Sequence, residues 1–133
     1  MTLVVDASVA VKWVLPEPGS DHAASLRTEE PDVIAPSLVV AEIGNALWKS
    51  ASRKNLSRSE ALDALRIATA HFNRLIGFEE LAADAMALAI DGRHPIYDCF
   101  YLALARRENA ALVTADEDMI AAARKAKIKV RRL

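Results

Sequence analysis

Cys99 is the only cysteine in 133 residues, so no intrachain disulfide can brace the chain, and a lone thiol suits a reducing compartment. Glycine is scarce, with four residues, and aromatic residues make up only 5%. The core must therefore be built from Ala, Leu, Val and Ile, and an Ala-rich, Gly-poor chain favours helices. Charge of neither sign is in excess: 17 basic and 18 acidic residues leave a formal charge of -1. Bulk charge thus gives no sign of a nucleic-acid binder, and any such partner must be held by a local patch. No segment approaches the ~20 apolar residues of a membrane span. The opening Met-Thr-Leu-Val-Val-Asp also lacks the basic stretch and long apolar run of a secretion signal. These absences lead us to expect a cytoplasmic protein without a membrane partner.

What is present is apolar bulk, 53% of the residues, enough to fill a core and to exclude disorder. The length suits one domain over residues 1–133. Short β-branched or apolar runs at residues 3–5, 32–35 (entered after Pro31), 75–78 and 111–114 read as strands, with an edge strand at 128–132. Between them lie helical segments. Residues 7–15 stop at Pro16 and Pro18, and 20–27 are capped by Ser20 or Asp21. Residues 38–54 are capped by Ser37 and end at Asn55. A helix from the Ser57/Glu60 capping box runs towards Asn73. Residues 79–90 carry Gly92 as a C-cap signal, 96–107 follow Pro95, and 119–126 form the last helix. Short apolar strands alternating with helices predict an α/β fold: a short parallel sheet flanked by helices on both faces.

Most acids, among them Glu29, Glu30, Glu60, Asp63, Glu79 and Glu80, sit in polar surroundings as solvated faces or helix starts. Four others do not. Asp6 directly follows an apolar strand and precedes a helix, so it stands at a carboxyl end of the sheet, where ligands bind. Asp116 follows the strand Ala-Leu-Val-Thr in the same way, and it competes with Asp118 for the N-cap of the next helix. Glu42 is the only charge between Ser37 and Trp48. Its helical neighbours Leu38, Val39 and Ala46 are apolar, and Asn45 is polar. Asp98 is the only charge in Ile-Tyr-Asp-Cys-Phe-Tyr-Leu-Ala-Leu-Ala. Burying an unpaired carboxylate costs several kcal/mol. With no obvious buried Lys or Arg nearby, a divalent cation is the natural remedy. An all-oxygen donor set suits Mg²⁺ or Mn²⁺. His22, His71 and His94 form no metal spacing with Cys99, and His22 and His71 read as surface positions.

The ordered motifs Leu-Val-Val-Asp6-Ala-Ser8, Val-Ala-Glu42-Ile-Gly-Asn45-Ala-Leu, Ile-Tyr-Asp98-Cys and Leu-Val-Thr114-Ala-Asp116 resemble those of the PIN-domain family, and within it the VapC toxins of toxin–antitoxin pairs. The likeness covers essentially the whole chain. It implies a PIN-like three-layer sandwich with the acids clustered at one end, and endonucleolytic cleavage of RNA using Mg²⁺ or Mn²⁺. Asp6, Glu42, Asp98 and Asp116 match the four acidic positions, with Asp6 and Asp98 expected to hold the principal metal. Asp118 falls where some members carry a further acid. Ser8, Asn45 and Thr114 match positions that support the acids. A VapB-like antitoxin and homodimerisation are further family expectations, the antitoxin placing an Arg into the acidic pocket.

Two other readings stand beside this one. Asp6 after a strand also suits an aspartyl-nucleophile phosphatase, although the second acid such enzymes carry two residues later is here Ser8. A catalytically inactive binding module is the other. For RNA, the cations Arg124, Lys125, Lys127, Lys129, Arg131 and Arg132 form a basic C-terminal segment, which reads equally as a charged edge strand. Arg93 and Lys12 lie close to acidic motifs. Trp13 and Trp48 are expected in the core.

Overall fold

The computed structural model describes residues 1–29 and 32–133. Glu30, expected on a solvated face, and Pro31, expected to lead into a strand, lie outside the described residues. The strands β1 (Thr2–Val5), β2 (Asp32–Pro36), β3 (Arg74–Ile76), β4 (Ala111–Thr114) and β5 (Val130–Arg132) form one parallel sheet in the order β3-β2-β1-β4-β5. Leu3, Val4 and Val5 are all fully buried. Successive strand residues face opposite sides, so β1 must be covered on both faces. Val33 to Ala35 and Leu112 to Thr114 repeat the pattern.

The covering helices are α1 (Ala7–Ala10), α2 (Ser20–Glu29), α3 (Val39–Ser52), α4 (Arg58–Ala70), α5 (Ala82–Gly92), α6 (Ile96–Arg107) and α7 (Glu117–Lys125). The α6 helix is the spine of the fold. It starts at Pro95, buries every residue from Cys99 to Ala105, and packs against β1, β2 and β4. It is apolar nearly all round, as a helix enclosed by other elements must be.

Several ends differ from expectation for local reasons. Residues 7–15 form only one α-helical turn before tightening into a 3₁₀ turn over Val11–Trp13, closed by Val14 and Leu15 N–H groups on the Val11 carbonyl. Ser37 does not cap α3. Its Oγ accepts the Phe78 N–H at 3.1 Å, tying the start of α3 to the end of β3. That helix ends at Ser52, with left-handed Lys54 rather than Asn55 turning the chain. Phe78 belongs to a 3₁₀ turn before α5 rather than to β3. Arg93, at φ 52°, takes the left-handed place after α5, while Gly92 is the last helical residue. The Ser57/Glu60 capping box is present, with bonds of 2.9 and 3.1 Å. His22 is exposed, but His71 is half-buried, contacting the Arg27 guanidinium and standing edge-on to Trp13. Trp13 packs inward as expected and donates its Nε1–H to the Ala23 carbonyl. Trp48 does not: it is 63% exposed, because α3 turns that side away from the sheet.

Candidate active site

The strand order reverses direction at the centre: the chain goes from β1 outward through β2 and β3, then returns to place β4 on the other side of β1. The carboxyl ends of β1 and β4 flank that switch point, where open α/β sheets bind ligands. Asp6 and Asp116 stand there.

Asp6 is 4% exposed, yet a charged form of it is well provided with donors. Its Oδ1 accepts Ser8 Oγ at 2.6 Å and the Val9 N–H at 3.3 Å, capping α1, and its Oδ2 accepts Thr114 Oγ1 at 2.6 Å. Thr114, fully buried, in turn accepts the Asp116 N–H at 3.0 Å, and Ser8 Oγ accepts the Ala115 N–H at 3.0 Å. One hydroxyl thus holds both the side chain of the first acid and the backbone of the last. Burial still wins over these bonds. It pushes the Asp6 carboxyl up to about 6, with the Asp116 charge adding to the rise.

Glu42 lies in the first turn of α3, half-buried, and its Oε1 accepts the Tyr101 hydroxyl at 2.6 Å. Burial raises its carboxyl above the ordinary range. The Tyr101 bond opposes that rise, and the charges of Asp6 and Asp98 add to it. Tyr101 is 1% exposed, and its phenol is held well above its usual value, so it remains a donor. Asp98, in the first turn of α6, pairs with His94 Nε2 through Oδ2 at 2.7 Å. Asp116 caps α7, its Oδ1 accepting the Asp118 and Met119 N–H groups at 2.8 and 3.4 Å. The competition for that cap is settled in its favour.

These four acids line one open cleft of about 570 Å³, together with Ser8, Asn45 and Tyr101. Asp118 is exposed and absent from it. It lines an adjoining cleft of about 390 Å³ that shares Asp98 and Asp116. Among the described residues no Lys or Arg forms an ion pair with Asp6, Glu42, Asp98 or Asp116. Neither do three or more His, Cys, Asp or Glu side chains close into a ready-made metal cage there. Carboxylates that raise one another's pKa, with Lys49 lining the same cleft but no Lys or Arg ion-paired to them among the described residues, match the donor chemistry of a hard divalent ion. Mg²⁺ keeps several waters and takes few protein ligands, so an open cleft suits it better than a closed cage.

Sequence reasoning missed Tyr101 and His94. Tyr101 falls within an apolar run and looks like core, and only the tertiary fold brings its hydroxyl to Glu42 of α3. His94 stands four residues before Asp98, a helical spacing that could have flagged it. The cations fare differently from expectation. Lys12 is paired with Glu17 at 3.2 Å, Arg132 with Glu117, and Lys125 Nζ donates to the Gly92 carbonyl. Arg93, Arg124, Lys127 and Lys129 are exposed, and β5 is an edge strand, as the charged-edge reading requires.

The PIN-domain profile matches residues 3–125. The chain belongs to the PIN-domain family. PIN-domain nucleases generally depend on a divalent metal, and the donors gathered here fit that chemistry. Ribonuclease VapC3 of Pyrobaculum aerophilum is 33% identical over 121 residues, 90% of this chain and 92% of that one. Two solved structures share the fold. VapC20 of Mycobacterium tuberculosis, a sarcin–ricin loop cleaving toxin, superposes with a TM-score of 0.70 at 20% identity, covering 90% of this chain and 94% of that one. VapBC2 of Rickettsia felis, solved bound to a DNA fragment from its promoter, gives 0.69 at 17% identity over 100% and 99%. Among the described residues no helix is long and apolar enough to cross a membrane.

Proposed function

We propose that this chain, acting as one PIN domain over residues 1–133, is a divalent-metal-dependent endoribonuclease and the toxin of a VapBC-type pair in the cytoplasm. The observation that carries the reading is the single cleft in which Asp6, Glu42, Asp98 and Asp116 meet at the β1/β4 switch point without an ion-paired Lys or Arg among the described residues. Mg²⁺ is the metal that fits, with Mn²⁺ able to replace it, and Asp6 and Asp98 would hold it. A bound divalent ion supplies a water nucleophile at neutral pH and neutralises charge on the phosphate.

The chain's own residues supply the rest. Ser8 and Thr114 fix both oxygens of Asp6, so its position is set before any ligand arrives. Glu42, anchored through Oε1 by Tyr101, keeps Oε2 for orienting the attacking water. Asp116, anchored through Oδ1 by the start of α7, completes the acidic wall. Hydrolysis then joins the water oxygen to phosphorus as the bridging P–O bond breaks, the departing ribose oxygen taking up the proton that the water gives up and leaving as a hydroxyl. Two relatives support the remaining assignments, a ribonuclease by name and a toxin complex by composition. An antitoxin segment that inserts an Arg among these acids would compete with the metal, and a homodimer is the expected assembly, which solution scattering checks.

The phosphatase alternative is disfavoured, because the second acid such enzymes carry two residues after the nucleophile is here Ser8, whose hydroxyl instead holds Asp6. The deciding experiment maps new RNA 5′ ends produced by wild type and by Asp6→Ala, each with Mg²⁺ and with EDTA. New ends from wild type with Mg²⁺ alone are expected. The same ends from Asp6→Ala would sink the catalytic assignment, and a wild type that neither cuts RNA nor binds Mn²⁺ would leave the inactive binding module.

A further inference from the structure

Each acid of the cleft is held by a donor on at least one oxygen. Ser8 and Thr114 hold Asp6, Tyr101 holds Glu42, and backbone N–H groups hold Asp116. Asp98 has its counterpart in a side chain that no sequence motif assigned. We propose that His94 is a positioning residue, fixing Asp98 through one oxygen so that the other is presented to the metal. The proposal rests on the reading of Asp98 as a metal-binding residue.

The backbone around His94 is pinned on both sides. Left-handed Arg93 folds the chain back over the end of α5, where the Arg93 and His94 N–H groups bond to the Ile90 and Ala89 carbonyls at 3.4 and 3.1 Å. Pro95 then starts α6, and its carbonyl receives Cys99 Sγ at 3.5 Å. The imidazole is left little freedom: its side chain is 17% exposed, against 24% for Asp98. Facing a carboxylate, Nε2 carries the hydrogen and donates it to Oδ2 at 2.7 Å. Oδ1 is the oxygen that remains, so Asp98 would offer one oxygen to a small hard cation. Histidine is used here inversely to its common role: it orients the carboxylate and leaves the metal to oxygen.

The test measures Mn²⁺ binding by electron paramagnetic resonance on wild type, His94→Ala, His94→Gln and Asp98→Asn, with melting curves in EDTA. His94→Ala is expected to weaken Mn²⁺ about 10–100-fold, with an unchanged EDTA melt. Its cleavage rate should recover at high Mn²⁺ with the KM for RNA unmoved. His94→Gln, which keeps a donor at similar reach, should regain most of the affinity. Should His94→Ala melt early, His94→Leu restores bulk without a donor and carries the same expectation. Unchanged Mn²⁺ affinity in both donor-free variants, while Asp98→Asn loses binding, would overturn the proposal and leave the metal reading intact. Direct imidazole nitrogen coupling to Mn²⁺ in wild type would also overturn it, by making His94 a ligand. If Asp98→Asn binds Mn²⁺ normally, the metal reading itself falls and takes the proposal with it.

Discussion

Asp6 stores instability that Asp6→Asn should release. An unfolded Asp titrates near 3.8, and burial moves Asp6 to about 6 in the folded chain. Between those values the folded state holds a proton that the unfolded state has lost, so stability falls as pH rises through roughly 4 to 6 and stays low above it. At 1.36 kcal/mol per pH unit the full penalty is about 3 kcal/mol. Asn cannot ionise, and the Ser8 and Thr114 hydroxyls can turn to serve an amide. Asp6→Asn should therefore gain about 3 kcal/mol over wild type at pH 8 relative to its difference at pH 4, or roughly 10 °C in Tm for a chain of this size. The assay is thermal and urea unfolding of both proteins in EDTA at pH 4, 6 and 8. Mn²⁺ at pH 8 should then raise the Tm of wild type and not that of the variant. A gap between the two proteins that stays constant from pH 4 to pH 8 would refute the burial argument.

Three further outcomes are expected. Tyr101→Phe removes the one hydrogen bond that lowers the Glu42 pKa, so the acid limb of the pH–rate profile should move to higher pH, measured with saturating Mg²⁺. Thr114→Val keeps shape but takes the donor from Asp6 and the acceptor from the Asp116 N–H, so it should lose about 1–3 kcal/mol in urea unfolding and most of its cleavage rate. Trp13→Ala, which empties the site between His71 and Phe72, should cost about 3 kcal/mol, while Trp48→Ala on the exposed side of α3 should stay within about 0.5 kcal/mol, both read from melting curves.

The parts legible in the sequence are those set by local pattern. Apolar runs mark β1, β2, β4 and α6 to within a residue or so, and the Ser57/Glu60 box marks the start of α4, because burial and capping act within a few residues. Glu42 and Asp98 stand out because a charge amid apolar neighbours is costly wherever the segment docks. What escaped depends on docking. Ser37 looks like a cap until the end of β3 arrives to offer it the Phe78 N–H. Trp48 looks like core until the orientation of α3 is known, and Lys12 looks available to phosphate until Glu17 folds onto it. Tyr101 and His94 escape notice because their partners are fixed by the sheet and by the turn after α5. Gly92 has the stronger intrinsic preference for a left-handed place, yet α5 runs through it and gives that place to Arg93.

Thr114 lies 108 positions after the Asp6 whose carboxylate it holds. On a ribosome, the amino-terminal acid emerges long before the strand that completes its surroundings. A nascent chain carries Asp6 through 108 further positions with no partner for its Oδ2 and no β4 beside β1. The parallel pairing that builds the cleft thus also delays it, and the surroundings of Asp6 are complete only once β4 has been made and docked beside β1.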